Sequence, residues 1–137
     1  MKTKEKILEI AQKLFVAQGI DKTSTAQICR EINIASGTLF VHFKTKQDLI
    51  DTIYLERKKN AFAAINQSLD YTKQAKELVL ESSELMVDYY LKNFADFQFF
   101  QMLEKGPIIS ESARNQYKKE ISESVNILLI KSLFVRD

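Results

Sequence analysis

The sequence predicts an all-α fold, and three observations support this prediction. Glycine occurs three times and proline once in 137 residues, so the residues that most often interrupt helices are scarce. Lys, Glu, Gln, Leu and Ile, which favour helices, are abundant. Apolar residues recur every three or four positions, which is the period of an amphipathic helix. A chain of this length forms one domain, or a small head fused to a second helical unit.

The first predicted helix runs from about Thr3 to Gln18. Gly19 follows directly, at a position where a left-handed residue commonly ends a helix. We expect an apolar stripe formed by Ile7, Ile10, Ala11, Leu14 and Phe15, and a solvent face formed by Lys6, Glu9, Gln12 and Lys13.

Two short helices are predicted next. Ser24 and Gln27 have the spacing of a capping box, which opens a helix over residues 25–31 that buries Ile28. Asn33 tolerates positive φ and therefore predicts a tight turn. Two short helices that are joined by such a turn and packed on a third define a helix-turn-helix.

The second of these short helices extends from about Ser36 to Phe43 and turns Leu39 inward. Thr45 and Asp48 then form another capping pattern, which opens a long fourth helix from Lys46 to about Gln67. Three further helices are predicted beyond it, over about 72–93, 94–104 and 110–133, with Gly106-Pro107 ending the middle one.

The start of the helix at Ser36 has the layout of a recognition helix. Its leading side chains are small or polar, and its large apolar anchors, Leu39 and Phe43, come later, so base edges can be approached without obstruction. Gly37 allows close approach to DNA, while Ser36 and Thr38 carry hydroxyls for bases or phosphates. We therefore predict that these three residues contact base edges.

Further side chains flank this edge. Phe40 and His42 lie where they can pack on the sugar-phosphate, and Lys46 can reach a phosphate together with the free N–H groups of its helix. We also assign Lys44 to DNA, as well as Ser24 and Thr25 at the start of the preceding helix. The alternative is a three-helix packing unit without a nucleic-acid role, in which His42 is an ordinary surface residue.

The charge distribution agrees with a DNA-binding head. Residues 1–60 hold eleven Lys and Arg against seven Asp and Glu, whereas residues 61–137 hold nine against eleven. A basic front half is a weak electrostatic signature of nucleic-acid binding. The run Arg57-Lys58-Lys59 is better explained as a solvated helix face, because it lies far along the fourth helix.

Three groups of residues occur in order within residues 3–55: Ile7, Ala11, Leu14, Phe15 and Gly19; then Thr23, Ser24 and Ile28; then the run from Gly37 to Leu49. In this order and spacing they resemble the tetracycline-repressor (TetR) family. The resemblance implies a head at residues 1–46, joined by the fourth helix to a helical ligand-binding and dimerisation domain at 47–137. It also implies a homodimer that binds double-stranded DNA at a palindromic operator, usually represses, and is released by a small molecule.

The sequence departs from the family pattern at several positions. Ala35 replaces the usual N-cap serine, and Phe40-Val41 replaces a tyrosine pair whose hydroxyls would reach phosphate. His42 matches the family histidine and is a replacement donor. Because the chain ends at residue 137, we expect the C-terminal helices of the family's dimer interface to be missing.

One stretch in the second half of the chain is rich in aromatic and methionine residues: Met86, Tyr89, Tyr90, Phe94, Phe97, Phe99, Phe100 and Met102. These side chains can line a cavity for a small apolar or aromatic effector, or they can form a plain core, which we expect for most of them. The alternative function of this part is to bind a protein partner without a small-molecule pocket. The candidate ligand residues are Met86, Tyr89, Tyr90, Phe97, Gln98 and Met102.

Other function classes find little support. The sequence has no glycine-rich phosphate loop and only one histidine, so we expect neither catalysis nor a cofactor. No partner for His42 stands at metal-ligand spacing. The single cysteine, Cys29, suits a reducing cytosol, and the lack of a long apolar run or a signal peptide predicts a cytoplasmic protein without membrane contact.

Overall fold

The structure is a computed structural model, and it describes residues 1–105 and 108–134, with side chains up to residue 123. The described chain forms α1 (Thr3–Gln18), α2 (Thr25–Ile32), α3 (Ser36–His42), α4 (Lys46–Ser68), α5 (Ala75–Lys92), α6 (Phe94–Leu103) and α7 (Glu111–Phe134). The all-α prediction is confirmed. The predicted stop at Gly106-Pro107 lies outside the described residues.

The ends of α1 and α2 follow from local chemistry. Gly19 has a φ of 93° and a ψ of 155°, so the predicted positive φ is confirmed, although the ψ lies outside the left-handed helical region. Ser24 caps α2, and its hydroxyl oxygen accepts a hydrogen bond from the Gln27 amide at 3.1 Å. The Gln27 side chain, however, pairs with Gln18 at 2.6 Å.

The helix boundaries lie within about one residue of the predictions, except at the start of α5. α3 ends at His42, and Phe43 follows in an extended conformation. α5 begins at Ala75 rather than near Thr72. The reason lies in the preceding turn, where the Asp70 carboxylate accepts hydrogen bonds from the Thr72 amide at 3.0 Å and hydroxyl at 2.5 Å. Such a turn competes with helix formation.

The chain divides into two compact units. The first comprises Met1–Leu55 and Ala95–Ser110, so it contains α1, α2, α3, the start of α4 and most of α6. The second comprises Glu56–Phe94 and the described residues from Glu111 onward.

The core of the first unit is closely packed. The ring centroids of Phe15 and Phe99 lie 6.5 Å apart in a stacked arrangement, and Tyr54 meets Phe100 edge-on at 6.1 Å. These contacts bind α6 to α1 and to α4. The buried apolar residues of this unit include Ile7, Leu8, Ala11, Phe15, Ile28, Cys29, Leu39, Phe43, Leu49, Ile50, Ile53, Phe99, Phe100 and Leu103.

One side chain of this core was wrongly predicted. Gln12 was expected on the solvent face of α1, but it is buried, and its amide nitrogen donates to the Asp96 carboxylate of α6 at 2.7 Å. Because α6 covers this side of α1, a polar residue there needs a hydrogen-bond partner.

Among the described side chains, the second unit has fewer buried residues than the first. Leu69, Leu78 and Ala113 are buried, and Lys58 lies 5.3 Å from the ring centroid of Tyr117. Lys73 pairs with Glu81 at 3.0 Å, and its hydrogen bond to Glu81 raises the pKa of the lysine. Exposed apolar side chains on α5 are Val79, Leu80, Met86, Val87 and Leu91.

Candidate nucleic-acid interface

The leading edge of α3 is exposed and helical, as predicted. Ser36, Gly37 and Thr38 lie in its first turn, and all three are exposed. A Cβ added at Gly37 would meet no other atom within 4 Å. Small side chains and open space therefore surround the backbone at this end of the helix.

Two buried side chains hold α3 in this orientation. Leu39 is fully buried and Phe43 almost so, which confirms their predicted role as anchors. The ammonium of Lys4 lies 6.0 Å from the centroid of the Phe43 ring. Since both anchors point into the core, the opposite side of α3 faces solvent.

The turn between α2 and α3 has the predicted left-handed residue. Asn33 has a φ of 56° and a ψ of 53°. The amide of the next residue, Ile34, donates to the Cys29 carbonyl at 3.0 Å. Ala35 then precedes α3 without a side-chain cap, as its lack of a hydroxyl predicts. The turn is thus held by backbone hydrogen bonds.

The predicted residues at the start of α2 occupy different environments. Ser24 is exposed and caps the helix, whereas Thr25 is half-buried. Behind them, Gln18 donates to the Thr23 hydroxyl at 3.1 Å and to Gln27. This network fixes the N-terminus of α2 against the end of α1.

The start of α4 is capped from both sides. The Thr45 amide donates to the Asp48 carboxylate at 3.2 Å, and the Asp48 amide donates to the Thr45 hydroxyl at 3.0 Å. This confirms the predicted capping pattern. Lys44 and His42 are exposed just before this helix.

Lys46 is placed differently from the other predicted contacts. Its ammonium donates a hydrogen bond to the Ile20 carbonyl and lies 5.9 Å from the centroid of the Phe15 ring. The side chain is half-buried, so it joins the start of α4 to the loop after α1.

Comparison with known proteins places this architecture in a family. Residues 7–53 match the family model of bacterial regulatory proteins of the TetR family. A TetR-family transcription regulator from Shewanella sp. has a solved structure that superposes with a TM-score of 0.84 at 31% identity, covering 97% of this chain and 71% of that protein. This chain belongs to the TetR family.

Two further proteins are similar to this chain. An HTH-type transcriptional regulator of Staphylococcus aureus is 34% identical over 95 residues, which are 67% of this chain and 48% of that protein. A TetR-family regulatory protein from Rhodococcus shares the fold with a TM-score of 0.78 at 22% identity, over 93% of this chain and 66% of that one. The chain spans about half the length of the curated relatives it matches.

One exposed residue of α3, Val41, was not among the residues that the sequence predicted to contact DNA. Val41 is 81% exposed beside Phe40, which is 46% exposed. Both are large apolar side chains on the solvent side of α3. The signal was present in the sequence, because Val41 lies two positions from both buried anchors, Leu39 and Phe43, and so faces away from them.

The predicted ligand residues divide between the two units. Met86, Tyr89 and Tyr90 belong to the second unit, and Phe97, Gln98 and Met102 to the first. The rings of Tyr89 and Tyr90 meet edge-on at 5.4 Å. Met102 lines a cleft in the first unit.

The prediction that most of this aromatic and methionine-rich set forms core is wrong, because only two of its eight residues are buried. Phe99 and Phe100 are buried, but Met86, Phe94 and Phe97 are exposed. α6 turns its buried side towards α1 and α4, so aromatic residues on its other side remain in contact with solvent.

The described residues contain no group of three His, Cys, Asp or Glu side chains arranged to hold a metal ion. Among the same residues, no helix is both long and apolar enough to cross a membrane.

Proposed function

We propose that this chain is a DNA-binding transcription regulator of the repressor type, which binds a palindromic operator as a homodimer in the cytoplasm and is released by a small molecule. Residues 1–46 bind DNA in this proposal, and residues 47–137 regulate that binding. The protein performs no catalysis, in keeping with relatives that are named as transcriptional regulators.

The single observation that carries the proposal is the bare leading edge of α3. Ser36, Gly37 and Thr38 are exposed in its first turn, while Leu39 is fully buried and anchors the helix. A helix that enters the major groove needs this arrangement, because bulky leading side chains would meet the base pairs.

The proposed contacts divide by chemistry. Ser36, Gly37 and Thr38 read base edges, and the Thr38 methyl group is suited to a thymine methyl. The sugar-phosphate contacts come from Ser24, Thr25, Phe40, His42, Lys44 and Lys46, and they supply most of the affinity. Lys46 reaches a phosphate only if its ammonium leaves the Ile20 carbonyl.

Dimer symmetry sets the geometry of the operator. Two recognition helices in successive major grooves lie about 34–36 Å apart, so the two half-sites are separated by about one helical turn. The exposed apolar side chains on α5 support the presence of a protein neighbour in the assembled regulator.

Gly37→Ala provides the sharpest test. The operator is first selected from a random duplex library, and affinity is then measured by fluorescence anisotropy. Because the space around Gly37 is open, alanine raises the free energy of unfolding by about 0.5–1 kcal/mol. In the complex the same methyl group hinders the approach to DNA, and affinity falls by on the order of tenfold. A variant that is more stable but binds DNA unchanged contradicts the assigned position of α3.

Two further variants separate specificity from affinity. Thr38→Ala relaxes base preference at one position by about 1–3 kcal/mol. Lys44→Ala weakens binding to all duplexes alike. It also lowers, by about one unit, the slope of the logarithm of the binding constant against the logarithm of the salt concentration. Lys59→Ala is the matched control, because Lys59 is an exposed lysine further along α4. Equal operator preference in the wild type and Thr38→Ala rejects the role given to Thr38.

A second candidate retains the DNA-binding head but makes the second unit a binding surface for a different protein. The exposed apolar side chains Val79, Leu80 and Leu91 favour it. Thermal unfolding of the purified protein with a library of small apolar ligands distinguishes the two: a ligand that raises the melting temperature supports the first proposal, and no shift with any ligand supports the second.

A further inference from the structure

A cleft of about 620 Å³ lies within the first unit, and no residue of α3 lines it. Its walls are the end of α1 with the following loop, the start of α4, and the end of α6. Its volume falls within the range of about 300–1,000 Å³ that is typical of small-molecule sites. The cleft is therefore large enough for an effector.

The rim of this cleft is cationic. Lys22, Lys46 and Lys105 line it, against a single carboxylate, Asp21. Among the described side chains, the ammonium groups of Lys22 and Lys105 form no ion pair. An anionic group entering the cleft would gain these lysines as partners without breaking an existing salt bridge.

The apolar residues of the cleft form its floor, because they are buried or half-buried whereas Lys22 and Lys105 are exposed. Ile20, Ile50, Met102 and Ile108 line it. A bare phosphate, or the phosphate of a DNA backbone, would leave these side chains in contact with water. A ligand that combines a carboxylate with a hydrocarbon or aromatic body satisfies both the floor and the rim.

We propose that this cleft is an effector site for a small amphiphilic carboxylate. The carboxylate lies among Lys22, Lys46 and Lys105, and its apolar body lies against Ile50 and Met102.

The walls of the cleft explain how such a ligand acts on the head. Lys46 now bonds to the Ile20 carbonyl, which links α4 to the loop after α1. Gln47 donates to the Ile108 carbonyl at 2.8 Å, and Asp51 accepts from the Ser110 amide at 3.1 Å, so α4 is also tied to the segment after α6. A bound carboxylate competes for Lys46 and loosens the first link. This effect on DNA rests on the proposed function, whereas binding of the ligand does not.

Isothermal titration calorimetry with four probes tests the ligand chemistry. Octanoate has both the carboxylate and the apolar body, and octanol has only the apolar body. Octylammonium reverses the charge, and inorganic phosphate is an anion without an apolar body. We expect octanoate to bind in a ratio of one to one, and the other three about tenfold or more weaker. Equal binding of phosphate or octylammonium overturns the proposal.

Two variants locate the site. In the double variant Lys22→Gln/Lys105→Gln, octanoate affinity falls by about tenfold or more while octanol affinity is unchanged. Met102→Trp fills the cleft and abolishes binding of both. Lys76→Gln, an exposed lysine on α5, is the matched control and binds octanoate like the wild type. Wild-type affinity in the double variant overturns the proposal, whether or not Met102→Trp folds.

Methyl NMR gives an independent location. Octanoate should shift the methyl signals of Ile20, Ile50, Met102 and Ile108, and leave those of Leu78 and Leu91 unchanged. Shifts confined to Met86 and the neighbouring methyl groups of α5 would instead place the ligand beside Tyr89 and Tyr90, and would overturn the proposal.

The last measurement connects the site to DNA. Saturating octanoate should lower operator affinity by about fivefold or more, and the double variant should resist this effect. Octanoate that binds in the cleft without changing operator affinity overturns the effector role. A protein that binds octanoate but no DNA refutes the proposed function and leaves the ligand site supported.

Discussion

α1 and α5 are helices of similar length, 16 and 18 residues, that use their apolar residues differently. α1 buries Ile7, Leu8, Ala11 and Phe15 beneath α2, α3 and α6. α5 buries Leu78, but it leaves Val79, Leu80, Met86, Val87 and Leu91 exposed.

The difference shows that an apolar stripe is stabilising only where neighbours remove it from water. The first unit surrounds α1 with α2, α3 and α6, so this unit has a core of its own. Along α5, the described chain leaves much of the apolar surface in contact with solvent. Large exposed apolar patches commonly mark binding surfaces, so the two helices differ in what they offer a partner.

The largest expected effect comes from Phe15→Ala. Phe15 is 0% exposed and stacks on Phe99, so its loss should lower the free energy of unfolding by about 3–5 kcal/mol. Leu91→Ala is the control on α5, where the side chain is 70% exposed, and its effect should stay within about 0.5 kcal/mol. Urea unfolding followed by circular dichroism measures both. Equal losses in the free energy of unfolding for the two variants would mean that a neighbour covers Leu91 of α5 in solution.

The same contrast can be tested within α5. Leu78→Ala removes a buried side chain and should lower the free energy of unfolding by about 2–4 kcal/mol. Leu80, two positions away, is exposed, so Leu80→Ala should lower the free energy of unfolding by less than about 0.5 kcal/mol. Thermal unfolding by calorimetry compares the two variants. A larger loss of stability in Leu80→Ala than in Leu78→Ala would show that the side of α5 with Leu80 packs against the rest of the second unit.

A smaller effect is expected from Gln12→Ala on α1. The Gln12 amide donates to the half-buried Asp96 carboxylate at 2.7 Å, and a hydrogen bond to a charged group contributes about 1.5–3 kcal/mol. Lys13→Ala, the exposed neighbour, should leave the free energy of unfolding nearly unchanged. If both variants unfold at the same urea concentration, the bond between α1 and α6 contributes nothing in solution.

The smallest effect concerns the turn before α5. The hydroxyl and amide of Thr72 hold the pKa of the exposed Asp70 below its usual value. Such a group adds stability above its unfolded pKa, and this contribution is lost as the pH falls through the lower, folded pKa. In Thr72→Val the pKa of Asp70 should rise, because only the amide bond remains. A carbon-13 titration of the Asp70 carboxyl measures this, with Thr52→Val as the control. An unchanged pKa contradicts the role of the hydroxyl.

Much of the head could be predicted because its signals are local. Ser24, Asn33 and Thr45 each act on neighbouring backbone groups, so the caps and the turn follow from short stretches of sequence. The start of α3 and its two anchors were predicted for the same reason. The late start of α5 was missed, because the Asp70–Thr72 turn overrides an otherwise helical pattern.

The sequence by itself determined the number and order of the helices, the exposed small residues of α3 and the buried positions of Leu39 and Phe43. These properties depend on periodicity and capping within a few residues. Only the tertiary structure decided the burial of Gln12 against Asp96, the link from Lys46 to Ile20, and the cleft lined by Lys22 and Lys105. Each of these joins segments that are distant in the chain, and no local pattern encodes which segments meet.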